Sequence, residues 1–172
     1  MGAAHWENEV RALAQECLRE DLRLYDFQVQ YHKKGVKIVV VLDKLSDPYG
    51  SPNIGDCSEF SRRFSYLLKV KKPSGLQEGY TLEVSSPGAE RELKTKEDIY
   101  RFRELPMRVV YRDEEKKKQS AVVYYLSHEN GKFRFRYAEL KKKNKGKQKE
   151  FQGDELIVDD ENLLRIQLYV GL

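Results

Sequence analysis

Thr81-Leu-Glu-Val-Ser-Ser-Pro-Gly-Ala-Glu-Arg-Glu-Leu-Lys94 is the stretch whose reading decides the fold. Tyr80, Leu82 and Val84 alternate with Thr81, Glu83 and Ser85, the period of a strand with one face toward a core. Ser86-Pro87-Gly88 ends that strand, because Pro87 lacks an N–H for the ladder and Gly88 tolerates a positive φ. Glu90, Arg91, Glu92 and Lys94 follow at once, so the turn leads into a charged exit. On turn chemistry alone, Ser85 and Ser86 satisfy turn amides and Arg91 pairs with Glu83 or Glu90 at the surface. A contact role for the same residues is the alternative reading.

Working outward, the segment before this strand is a helix. Asn53 and Asp56 form a capping box with a shorter acid, and Ile54, Cys57, Phe60, Phe64, Leu67 and Leu68 make an apolar stripe behind it. Glu59, Arg62, Arg63 and Lys69 are left toward solvent. Upstream, Val10, Leu13, Ala14, Cys17 and Leu18 share one face of a first helix near Glu7 to Glu20. Tyr25 to Tyr31 and Lys37 to Asp43 then read as a hairpin turned at Lys33-Lys34-Gly35, the second strand β-branched enough for a central position. Thr95 and Asp98 start a short helix through Phe102.

From Met107 the period is two almost throughout. Met107, Val109 and Tyr111 alternate, Val123 and Tyr125 flank Tyr124, Asn130-Gly131 turns a hairpin, and Phe133, Phe135 and Tyr137 alternate with Lys132, Arg134 and Arg136. Leu156 to Val158, a helical turn at Asp159 to Asn162, and Leu164, Ile166 and Leu168 complete the pattern. The expected fold class is α+β. An amino-terminal α/β domain over 1–104, a three-stranded sheet with helices on one face, precedes a five-stranded SH3/Sm-like β-barrel over 105–172.

Asp56-Cys57 and Ser61-Arg62, taken with Leu82-Glu83-Val84-Ser85-Ser86-Pro87-Gly88 and Arg91, resemble the hallmark of the RimP family of bacterial ribosome maturation factors. Ala89, Glu92 and Glu104-Leu105-Pro106 depart from the family's usual pattern. The resemblance implies the same two-domain plan and no enzymatic activity. It also implies binding to an immature small ribosomal subunit, through rRNA and a small-subunit ribosomal protein near the decoding centre. The residues expected to bind are Arg62, Glu83, Ser85, Ser86, Arg91 and Lys94 in the first half, and Arg134, Arg136, Lys141, Lys142, Lys143 and Lys145 in the second.

The charge distribution bears on the partner. The chain of 172 residues has a formal net charge of +4, but residues 107–149 hold 14 basic and 5 acidic groups, whereas 150–172 hold 1 and 6. Most lysine-rich loops are simply solvated; with Arg134, Arg136 and Lys116 to Lys118 beside it, the loop from Lys141 to Lys149 is expected to meet phosphate. Asp154, Glu155, Asp159, Asp160 and Glu161 are expected to meet a basic protein. A barrel that grips a peptide as an adaptor, unrelated to ribosomes, is the rival reading.

Other chemistry finds little support. Cys57 beside Asp56 has no adjacent base and sits in an apolar stripe, so it is expected to pack in the core. His5, His32 and His128 lie in a terminus, a hairpin end and a turn, so neither a metal ion nor a cofactor is expected. The longest apolar run, Ile38 to Leu42, is too short for a bilayer, and Met1 to Glu9 lacks a signal pattern. A cytoplasmic monomer without membrane contact is the expectation.

Overall fold

The structure is a computed structural model that describes residues 2–76, 79–139 and 155–171. It divides into two compact units, Met1–Gly88 and Ala89–Leu172. The first contains α1 (Gly2–Glu16), β1 (Leu22–His32), β2 (Gly35–Lys44), α2 (Ile54–Lys71) and β3 (Thr81–Ser85). Its sheet has the order β1-β2-β3, with β1 antiparallel and β3 parallel to the central β2.

β2 is central for the reason its composition gives. Ile38, Val40 and Leu42 are wholly buried and join Trp6, Val10, Leu13, Ala14 and Cys17 of the α1 region and Phe60, Phe64 and Leu68 of α2 in one core. Both helices therefore lie on one face of this sheet. Leu82 and Val84 of β3 turn toward that core but are only partly buried, as suits an edge strand. A register shift between Leu24 and Asp26 interrupts the simple alternation of β1. Ile54, expected in the buried stripe of α2, is instead 87% exposed. It is the first residue of the helix and lines the groove described below, outside the core.

The second unit contains α3 (Lys96–Arg101), β4 (Met107–Arg112), β5 (Lys118–Glu129), β6 (Lys132–Tyr137), β7 (Glu155–Asp159), a 3-10 turn (Asp160–Asn162) and β8 (Leu163–Leu168). The strands form an antiparallel sheet in the order β7-β6-β5-β4-β8. In a flat sheet, four inter-strand steps would separate β7 from β8 by about 19 Å. The chain from Asp159 to Leu163 spans at most about 14 Å when fully extended. The sheet is therefore curled; among the described residues no β7–β8 pairing closes it into a barrel.

Its inner face is one core of Met107, Val109, Tyr111, Ala121, Val123, Phe133, Phe135, Leu156, Val158, Ile166 and Leu168, capped by Leu93, Ile99 and Phe102. That cap explains why the units meet at 88/89, whereas the sequence reading put the junction at 104/105. Leu93 donates its N–H to Ile166 and Arg91 accepts from Leu168, so the segment before α3 is tied to β8. Leu164, expected inside, is exposed and Leu163 packs on the core instead, because the β4–β8 pairing shifts register between Val110 and Tyr111. Asn130 and Gly131 turn the β5–β6 hairpin with φ of 50° and 73°, the left-handed pair that a two-residue hairpin requires.

Candidate functional site

The amino end of α2 is fixed before anything is placed on it. Asp56 receives the backbone N–H of Asn53 at 2.9 Å and donates its own to the Asn53 side chain at 2.8 Å, the capping box read from sequence. Lys44 Nζ lies 2.8 Å and Arg19 Nη2 2.7 Å from the two Asp56 oxygens. Lys44, then the Asn53 amide and Arg19, hold this buried carboxyl down at about 2. Arg19 also reaches Asp21 and Glu59, so it ties the loop before β1 to α2.

That pinned helix end faces the edge of β3 across a groove of about 740 Å³. Pro52, Asn53, Ile54, Cys57, Ser58, Ser61 and Arg62 line one wall; Leu82 to Ser86 line the other. Since Leu82 and Val84 point toward the helix layer, Glu83 and Ser85 point to the opposite face of the sheet. Glu83 there pairs with Lys37 at 2.6 Å and not with Arg91. The groove thus offers small hydroxyls, a strand edge, a few apolar surfaces and one exposed arginine, Arg62. Among the described residues that line it there is no histidine. Burial, and then the neighbouring Asp56, push the Cys57 thiol up, which keeps it protonated and unreactive at neutral pH. Cys57 is half-buried at the groove wall, so the expectation of full core packing holds only in part.

The remaining expected residues fall in the second unit. Arg91, expected at the surface, is 2% exposed, with its guanidinium 5.1 Å from the Phe102 ring centroid. Its immediate sequence partners are backbone groups of β8, and this pulls the chain inward after the Pro87-Gly88 corner, where Gly88 takes a φ of 82°. Lys94 is exposed. Arg134 pairs with Glu155 at 2.6 Å, and Arg136 lies over Tyr124 at 5.5 Å. Lys141, Lys142, Lys143 and Lys145 lie outside the described residues, as does Asp154. Of the acidic groups expected to meet a partner, Asp159 pairs with Lys132, and Asp160 with His128 and Lys96.

Comparison with known proteins agrees with this arrangement. The RimP N-terminal domain family matches residues 13–90, and a domain of unknown function, DUF7912, matches residues 92–157. A protein named ribosome maturation factor RimP from Leptospira interrogans (serovar copenhageni) is 32% identical over 164 residues, 95% of this chain and 96% of that relative. Its counterpart in Leptospira biflexa is 39% identical over 99 residues, 58% of this chain and 59% of the relative.

The chain belongs to the RimP family.

Within that family frame, the residues of the hallmark separate into two kinds. Asp56 holds a helix end and Arg91 is buried, while Cys57, Ser61, Arg62 and Leu82 to Ser86 meet at one groove. Sequence spacing alone could not pair 56–62 with 82–86, because the rest of α2 and its connection to β3 separate them. Arg108 and Arg112 were not among the residues expected to bind, and Lys118 was named only with its neighbours Lys116 and Lys117. The signal was available in the alternation of β4, where Arg108 and Arg112 interleave with Met107, Val109 and Tyr111.

Proposed function

We propose that this protein is a maturation factor for the small ribosomal subunit, acting in the cytoplasm as a monomer without catalysing a covalent step. It binds the immature particle through rRNA and a small-subunit ribosomal protein near the decoding centre, then departs. The observation that carries this reading is the meeting of 57–62 with 82–86 at a single groove in a chain of the RimP family. Two segments distant in sequence have no packing reason to bring the exposed Ser58 and Arg62 beside the half-buried Ser61 and Ser86 there. A groove with a strand edge and hydroxyl walls fits a protein segment better than a nucleic acid, since main-chain hydrogen bonds supply the affinity. The second unit, a curled five-stranded sheet in the manner of an SH3-type barrel, is then the part that meets rRNA.

Depleting the protein tests this reading. Small subunits carrying unprocessed rRNA are expected to accumulate, and the wild-type chain to restore mature particles. Normal subunit profiles and normal rRNA ends after complete depletion would overturn it, and would favour an adaptor with a partner unrelated to ribosomes.

A further inference from the structure

The outer face of β4, β5 and β6 carries cations that no described carboxylate matches. Inner positions are Met107, Val109 and Tyr111 on β4, Ala121 and Val123 on β5, and Phe133 and Phe135 on β6. Strand alternation therefore sets Arg108, Arg112, Lys118 and Arg136 on the opposite face. None of these four has a carboxylate partner among the described residues. The cations toward the sheet margins do: Lys132 pairs with Asp159, Arg134 with Glu155 and Arg165 with Glu92.

Two details show that the unmatched set is not a random remainder. Arg112 sits directly opposite Lys118 in the β4–β5 register, a like-charge cross-strand pair that works against the sheet. Arg136 is opposite Glu155 in register yet lies over the Tyr124 ring at 5.5 Å, while Arg108 lies over Tyr169 at 4.9 Å. Each guanidinium is thus braced on an aromatic face, which limits its motion without neutralising it. Bracing of this kind lowers the entropy lost when a fork of N–H donors engages an anion.

Spacing decides the class of anion. Arg108 and Arg112 are four residues apart on one strand, about 13 Å. Arg108 and Arg136 lie two strands apart and are displaced by two residues, about 12 Å. These are backbone spacings, and Arg108 and Arg136 are held on different rings, so a ligand that engages all four cations carries several anionic groups. The tyrosine faces are already covered by arginine, which removes them as platforms for bases. We propose that this outer face binds the sugar-phosphate backbone of RNA without reading its sequence. This deepens the ribosomal reading above and rests on it for the choice of RNA among polyanions. Arg136 and Lys118 keep their expected role, Arg134 is instead paired with Glu155, and Arg108 and Arg112 join.

The test uses the full-length protein and fluorescence anisotropy with a labelled mixed-sequence single-stranded RNA, a second RNA of unrelated sequence, and polyglutamate of matched charge as competitor. The quadruple variant Arg108→Gln, Arg112→Gln, Lys118→Gln, Arg136→Gln is expected to lower the log–log salt slope by about three and to weaken binding at least ~tenfold. The paired-cation control Lys132→Gln, Arg134→Gln should change affinity less than about threefold, by the same counterion reasoning. Both RNAs should bind alike and polyglutamate should compete poorly. The double variant Arg112→Gln, Lys118→Gln, which relieves a repulsion, keeps the test open if the quadruple variant folds badly: its melting temperature should hold or rise while its salt slope falls. Equal losses for the unmatched and paired sets, or polyglutamate competing as well as RNA, would overturn the proposal. If the quadruple variant binds RNA as the wild type does while depletion still blocks subunit maturation, this surface is wrong and the ribosomal role stands.

Discussion

The two units handle charge in opposite ways. In the first, every strongly placed carboxylate is answered: Asp56 by Lys44 and Arg19, Asp43 by Arg23, Glu83 by Lys37. In the second, answered charges lie at the sheet margins, while four cations stand together on the outer face of β4 to β6 without a carboxylate partner among the described residues. Net charge places the basic excess in the second unit, 20 basic against 16 acidic groups in residues 89–172, but does not say which cations are paired. Pairing separates the charges that hold the fold from those left available, and it does so residue by residue.

Removing an answered charge should therefore cost stability, and the largest effect is expected at Asp56. Asp56→Ala removes a helix cap and strands Lys44 and Arg19, a loss on the order of 2–3 kcal/mol in chemical denaturation. A loss below about 0.5 kcal/mol, the level of ordinary surface substitutions, would mean that the pinned helix end is not what positions the groove.

Arg91→Ala comes next. Buried over Phe102, the side chain should contribute about 1–2 kcal/mol through its stem and its cation–π contact, so melting should fall. Unchanged melting with lost subunit affinity would restore the surface role that the sequence first implied for it. Cys57→Ser should cost about 1 kcal/mol, because a half-buried hydroxyl is less penalised than a buried one, and should spare function of the folded fraction. A stable variant without function would point to the thiol itself.

The pH dependence sharpens the same contrast. The Asp56 carboxyl sits at about 2 in the folded chain against an ordinary value of 3.8. Its contribution is thus complete above pH 3.8 and is lost as the pH falls through about 2. Asp56→Asn should flatten that part of the acid limb in a pH series of unfolding curves; an unaltered limb would remove Asp56 as the cause. Smallest of all, Arg112→Gln alone should leave stability unchanged or raise it by roughly 0.2–1 kcal/mol, since it removes a like-charge pair.

Much of the fold was legible because its signals are local. The β-branched run from Lys37 to Asp43 marked the central strand, Asn53 and Asp56 the helix start, and Asn130-Gly131 the hairpin. What failed was set by contacts distant in sequence. Arg91 follows a polar turn and reads as exposed, yet its backbone is claimed by β8 some 75 residues later. Leu164 fits the strand period and still faces out, because a register shift against β4 cannot be seen in β8 itself. At the site, motif residues were identifiable but their roles were not: a family hallmark does not say whether Asp56 binds a partner or holds a helix. The stripe on β4 to β6 was hidden for the same reason, since only the structure reveals which cations already have partners.

Sedimentation of cell extract through a sucrose gradient at graded salt tests the central claim most directly. The protein is expected to travel with free small subunits, to be absent from translating ribosomes, and to be released steeply as salt rises. A chain that stays at the top of the gradient at every salt concentration, with immature small subunits present in the same extract, would contradict the account.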